Sequence, residues 1–306
     1  MQSIADNVYI EDNYLGVTLG VIQQSRGLIQ IDAPPSPEDS RSWRAALMSL
    51  SGGPERVLAN LDSHPDRTLG ARAMDCTVLA QEKTAQVFRS RPTTFKAQGT
   101  ETGSDWETIP GLGTVRWAPP EISFTNQMTL HWGETPVIFE HHPGSSIGAM
   151  WVILPEEKVV FVGDLVPKNQ PPFLAHADLQ AWMEALDMLL SPKYRGFTFV
   201  SGRGGSISTT AIKSQAELIK QIHDRLEKMA YRGSSLEATE KLIEPFLTKF
   251  KSSAARHKQY VQRMRYLRAV VRAPAALIDL AGIFPSEDVE KEGFIYRGLG
   301  KGSEKK

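Results

Sequence analysis

The sequence predicts an α/β sandwich with a helical extension, on three observations. Short segments rich in β-branched and aromatic residues, bounded by Gly, Asn and Pro, fill the first two thirds of the 306 residues. Helical segments with apolar residues at 3.6-residue spacing interrupt them. From about residue 208 only helical patterns remain.

Taken in order, "NVYIEDN", "GVTLGVIQQ" and "GLIQIDAPP" are strands. "PSPEDSRSWRAALMSL" opens with proline and acid and carries Trp43, Ala46, Leu47 and Leu50 on one face, so it is a helix. "ERVLAN" is a buried strand, residues 71–90 have a helical pattern, and 91–120 form a loop-rich insert with Trp106 and Trp117. Strands return in "MTLHWGETPVIFEHH", in "GAMWVILPEEKVVFVGD" with "EE" at a hairpin turn, and in "GFTFVSGRGG". "DLQAWMEALDMLL" is a helix between the last two.

Beyond residue 208 a first helix places Ile212, Leu218, Ile219, Ile222, Leu226 and Met229 on one side and stops at Gly233. Ser234 and Glu237 form a capping-box pattern for a second, in which Pro245 should produce a kink. A third carries Tyr260, Met264, Leu267 and Val271 before Pro274 ends it. The expected division is a sandwich over 1–207, a helical extension over 208–297 and a disordered tail over 298–306. The later apolar stripes must cover something, either the cleft or a second copy in a homodimer, and the short turn at Gly233 favours the cleft.

Composition narrows the function. Lys plus Arg and Asp plus Glu both number 35, so net charge calls for neither nucleic acid nor a membrane surface. The single cysteine, Cys76, excludes an internal disulfide and a thiolate metal centre, which suits a reducing cytoplasm. The first residues lack a signal-peptide pattern, and no apolar run reaches membrane-spanning length. The third C-terminal helix is basic, with Lys251, Arg256, Lys258, Arg263, Arg265, Arg268 and Arg272. With no nucleic-acid-binding motif beside it, this is expected to be a solvated or salt-bridged face.

The chemistry lies at four strand ends. Asp62, His64, Asp66 and Arg67 follow "ERVLAN"; His141, Asp164 and Arg203 each follow a later strand. Side chains at successive strand ends can converge, and His with Asp is what a borderline metal needs. In this order the turns resemble those of the metallo-β-lactamase superfamily, from about residue 5 to 206. That family's His-x-His-x-Asp-His stands here as Asp62-Ser63-His64-Pro65-Asp66-Arg67, with Gly70 beyond it. Its His-x-Pro-Gly turn is similar to "HHPGSS", its Gly-Asp-Leu turn to "VVFVGDLV", and its Gly-His-Gly turn to Gly202-Arg203-Gly204.

The resemblance implies a four-layer αββα sandwich. It also implies one three-ligand metal site of Asp62, His64 and His141, with Asp164 as the family's bridging aspartate and Asp32 as a supporting residue behind it. The second metal would need Asp66, Arg67 and Arg203, but a guanidinium offers no lone pair, so that metal is lost. Two functions remain. In the first, one divalent cation (zinc, or iron or manganese) activates water to cleave a small-molecule ester, lactone or thioester. Asp164 and Asp66 act in catalysis, and Arg67 and Arg203 hold a substrate anion. In the second, no metal binds, and Arg67 and Arg203 pair with Asp66 and Asp164 in a buried cluster without catalysis.

Overall fold

The computed structural model describes residues 1–96, 102–270, 276–279 and 295–298. Its first sheet runs in chain order: β1 (Gln2–Ala5), β2 (Val8–Glu11), β3 (Leu19–Gln23), β4 (Gly27–Ile31), β5 (Glu55–Ala59), β6 (Thr77–Gln81) and β7 (Ile122–Phe124). The first three pairings are antiparallel and the last three parallel. The second sheet contains β8 (Gln127–Leu130), β9 (Val137–His141), β10 (Met150–Leu154), β11 (Val159–Gly163), β12 (Thr198–Ser201) and β13 (Ser206–Ile207), in the order 13-12-11-10-9-8. Only β11 and β12 pair in parallel there. Residues 276–279 and 295–298 form a separate parallel pair, β14 and β15, so the span expected to be helical beyond residue 208 also contains strand.

The helices are α1 (Pro37–Leu47), α2 (Pro65–Thr68), α3 (Glu82–Ser90), α4 (Leu179–Leu189), α5 (Thr209–Tyr231), α6 (Ile243–Leu247) and α7 (Ala254–Met264). Together with the sheets they make four layers. On the outside of the first sheet, Trp43 and Leu47 of α1 pack on Val21, Leu28, Leu58 and Val78. Ser36 caps that helix by accepting from the backbone N–H groups of Glu38 and Asp39. Between the sheets lie Ile22, Ile29, Ile31 and Val57 from one side, Phe139, Val152, Phe161 and Val200 from the other. Gly20 permits that contact, because a Cβ there would stand 2.5 Å from the Phe161 ring.

On the outside of the second sheet, Trp151, Ile153, Val160 and Val162 meet Trp182 and Leu186 of α4 and Ile212, Ile219 and Ile222 of α5. Phe246 of α6 and Tyr260 and Met264 of α7 extend the same apolar layer. β10 is buried on both faces, with Met150, Val152 and Leu154 inward and Trp151 and Ile153 outward. An apolar run without alternation is the expected signature of such a strand.

Three expectations are corrected. Residues 71–90 are not one helix: a short 3-10 turn (Ala71–Met74) leads into strand β6, and helix α3 follows directly. Val78, Leu79 and Ala80 are buried in a central parallel strand, and such a short apolar run has no period that separates strand from helix. Pro245 does not kink a long helix. It lies in the first turn of α6, where its missing N–H has no intrahelical partner to lose, and a 3-10 helix (Leu236–Leu242) precedes it. Ser235 rather than Ser234 stands at the start of that 3-10 helix, without a side-chain cap. Val271, Arg272 and Pro274 and the tail 299–306 lie outside the described residues. Among the described residues no helix is long and apolar enough to cross a membrane.

Candidate functional site

The site gathers where β4, β5, β11 and β12 end. After β5 the chain turns through Asp62 and Ser63 into α2. His64 caps this helix, its Nδ1 accepting from the Asp66 N–H at 3.2 Å. Pro65 at the first helical position fixes the turn, and the helix directs Asp66 and Arg67 inward, where both are fully buried. Asp32 follows β4 in the left-handed region (φ 59°), so its carboxylate turns toward the neighbouring strand end. There it accepts from the Leu61 N–H at 2.9 Å and from Arg67 Nη1 at 3.0 Å.

Two guanidiniums organise these acids. Arg67 meets Asp32, lies 3.1 Å through Nε from Asp62 Oδ1, and donates from Nη2 to Asp164 Oδ1. Arg203 donates from Nε to both Asp164 oxygens at 3.0 and 3.1 Å. Its Nη1 donates to Asp66 Oδ2 at 2.6 Å and to Asp105 Oδ2 at 3.4 Å. Its Nη2 lies 3.1 Å from His64 Nδ1, which therefore accepts. The imidazole is the neutral tautomer with its proton on Nε2.

Electrostatics follow from this packing. Burial and the nearby Arg203 hold His64 well below its ordinary value. Burial alone would raise Asp164, but Arg203 and Arg67 overcome it and hold the carboxyl low. Asp62 and Asp66 are raised by burial despite their arginine partners. Asp32, also buried, is pushed up to about 7 against the pull of Arg67. With Asp105, five carboxylates face four guanidiniums, those of Arg67, Arg203, Arg256 and Arg263. A buried cluster with one surplus negative charge is stabilised by taking up a proton.

Three elements close the cluster. Phe173 stacks over Arg203 at 4.1 Å and over Arg263 of α7 at 3.7 Å, and meets His64 edge-on at 4.6 Å. The insert lays residues 105 and 106 on Asp66, whose oxygens accept from the Trp106 N–H at 2.7 Å and the Asp105 N–H at 3.3 Å. From the other side comes Gly16 (φ 75°), where a Cβ would be 2.6 Å from Asp105 Cβ and 3.1 Å from Asp66 Cγ. Helix α7 holds the insert down: Arg263 donates to the Gly103 carbonyl at 3.2 and 2.9 Å, and Gln259 to the Ser104 carbonyl at 3.0 Å.

Asp105, Phe173, Arg256 and Arg263 are thus members of the site that the sequence did not single out for it. Arg263 carried the one usable signal, a cation between Tyr260 and Met264 on an apolar stripe. It is 1 % exposed, so it belongs to the interior rather than to a solvated basic face.

The strand ends bring Asp32, Asp62, His64, Asp66, Arg67, Asp164 and Arg203 together. His141 ends β9, but its Nε2 lies 2.9 Å from the Ile147 carbonyl, a bond within its own turn. His142 stacks on Trp151 at 3.6 Å and bonds Glu140. Among the described residues no three His, Cys, Asp or Glu side chains form a group that could hold a metal ion. The donor chemistry gives the reason. His64 Nδ1, Asp66 and both oxygens of Asp164 receive Arg203, while Asp62 and Asp32 face Arg67. The residues present do not fit a resident metal in this arrangement.

Residues 64–195 match the sequence profile of the Metallo-beta-lactamase superfamily, a span that includes His64, Asp66, Arg67, His141 and Asp164. The metallo-beta-lactamase from Pontibacter korlensis superposes with a TM-score of 0.57 at 18% identity, covering 72% of this chain and 97% of its own. The chain has the metallo-β-lactamase fold. A similar frame occurs in the stereoselective inverting sec-alkylsulfatase Pisa1 from Pseudomonas sp., with a TM-score of 0.61 at 16% identity. That likeness covers 95% of this chain but only 54% of the sulfatase, so the chain spans about half the sulfatase's length. No curated protein matches the chain.

Proposed function

We propose that this chain is a metal-independent protein of the metallo-β-lactamase fold, in which Arg67 and Arg203 stand in for the two cations and the site binds rather than hydrolyses. One observation carries the reading. The Arg203 guanidinium reaches His64 Nδ1, Asp66 and Asp164 at once, so the lone pairs that a cation would need are already engaged. The same contacts turn Asp164, the acid that would position an attacking water, toward both arginines. The fold is that of hydrolases; the chemistry of this site is an ion-pair lattice.

Metal content tests this directly. Protein purified without chelator, and again after exposure to zinc and desalting, should carry far less than one transition metal per chain. Asp62→Ala should not change that content. One tightly held zinc per chain, lost in Asp62→Ala and retained in Asp62→His, would sink the proposal in favour of a one-metal hydrolase using Asp62, His64 and His141.

A further inference from the structure

Asp105 reaches the cluster from the insert, not from a strand end, and four donors converge on its carboxylate. Arg256 donates to Oδ1 from Nη1, and Gln259 Nε2 lies 3.3 Å from the same oxygen. Arg203 Nη1 donates to Oδ2 at 3.4 Å, and Arg263 Nη2 lies 3.9 Å from it. We propose that Arg203, Arg256, Arg263 and Gln259 form a carboxylate-binding cradle, which the chain fills with its own Asp105 and which a small free carboxylate enters when Asp105 is withdrawn.

The cradle stands without its occupant. Arg203 is fixed by Asp66, Asp164 and His64. Arg263 is fixed by the Gln170 side chain at 2.8 Å, the Pro171 carbonyl at 3.1 Å and the Phe173 ring. Arg256 is braced by Gln259 Oε1 at 2.8 Å. Removing Asp105 would leave three oriented guanidiniums short of an acid in a buried place, which draws in an anion.

Access and charge define that anion. The Arg256 side chain is 37% exposed while those of Arg203 and Arg263 are 1% and 0%, so solvent reaches the cradle past Arg256. The donors address two oxygens of one planar group, which suits a carboxylate. With Asp105 withdrawn, four acids face four guanidiniums, so a singly charged occupant restores the charge Asp105 supplied, where a doubly charged phosphate would add a further uncompensated one. Residues 102–108 then act as a built-in competitor for that ligand.

The test is chemical rescue. Wild type, Asp105→Ala and Asp105→Asn are melted in increasing sodium acetate, and again in formate, against chloride at equal ionic strength. Asp105→Ala should melt below wild type and regain stability saturably with acetate or formate, while wild type and Asp105→Asn, whose cradles are filled, should respond no more than to chloride. Arg256→Ala added to Asp105→Ala should weaken the apparent acetate affinity several-fold. If Asp105→Ala does not fold in chloride, refolding yield replaces melting, and recovery in acetate alone is the expected result. Equal responses in all three proteins, or none in Asp105→Ala, would overturn the cradle. The inference rests on the proposed function only in taking Arg203 as an undisplaced cation; stoichiometric zinc in wild type would sink that reading, whereas a silent acetate titration sinks only this one.

Discussion

Arg67 and Arg203 lie side by side and share Asp164 Oδ1, yet they hold different parts of the molecule. Every acid on Arg67 comes from a strand end of the sandwich: Asp32 after β4, Asp62 after β5 and Asp164 after β11. Arg203 draws on the sandwich through Asp66, Asp164 and His64, but also on the insert through Asp105 and on the 164–178 connection through Phe173. The first arginine closes a ring of strand ends. The second fastens the insert and the 164–178 connection onto that ring, and among the described residues α7 meets the cluster through those two segments.

The comparison predicts unequal costs. Arg67→Ala should be the most damaging change, because buried Asp32 and Asp62 lose the one guanidinium that pairs with them among the described residues, while Asp164 keeps only Arg203. A loss of roughly 3–5 kcal/mol is expected from denaturant unfolding. Arg203→Ala should cost about 3 kcal/mol, toward the lower end, since Arg256 and Arg263 still neutralise Asp105. Equal losses would mean that Asp164 alone sets both values and that the insert contributes nothing.

Acid should separate the halves next. His64, a partner of Arg203, is held below its ordinary 6.5, so the unfolded chain binds a proton there that the folded one refuses. Its contribution is complete above pH 6.5 and declines as pH falls through that value. Asp32, a partner of Arg67, is raised from 3.8 to about 7, so in that window the folded chain binds the extra proton and gains stability as pH falls. Asp62 and Asp66, also raised, add to Asp32 against His64, so stability should hold between pH 7 and 3.8 rather than fall. Below 3.8 the depressed Asp164 and Asp105 act in the same direction as His64, and stability should fall steeply. Unfolding midpoints against pH would show this; a steep fall already at pH 6 would mean that Asp32 is ionised beside Arg67. The smallest effect belongs to Gly16→Ala, expected at about 1–2 kcal/mol from backbone conformation and crowding against Asp105. No loss there would show that the β2–β3 connection lifts away from the Arg203 half.

The same division explains what the sequence disclosed. Asp62, His64, Asp66, Arg67, Asp164 and Arg203 were legible because each sits in a turn that ends an apolar strand, a context written in adjacent residues. Charge alone suggested pairing Arg67 and Arg203 with Asp66 and Asp164; Asp164 meets both and Asp66 meets Arg203, but Arg67 turns to Asp32 and Asp62 instead. Asp105 and Arg256 were not legible, because the insert and α7 bear no local pattern that says which surface they cover. Strand β6 was missed for a related reason: Val78 is buried in the layer of α1 and Leu79 between the sheets, by residues distant in sequence, and α3 begins without an intervening turn. The apolar stripe of α5, by contrast, was assigned correctly, since its periodicity runs through many turns of helix.

The single oxygen Asp164 Oδ1 accepts from both guanidiniums, and this restricts how such a site can be altered stepwise. A chain that exchanges Arg203 for histidine still presents Arg67 to the oxygen a bridging cation would use, and the converse exchange leaves Arg203 there. Each single step loses a buried ion pair without yet opening a coordination sphere. A coordination sphere at this oxygen would therefore need both arginines exchanged together, and the shared oxygen ties the two positions into one unit of change.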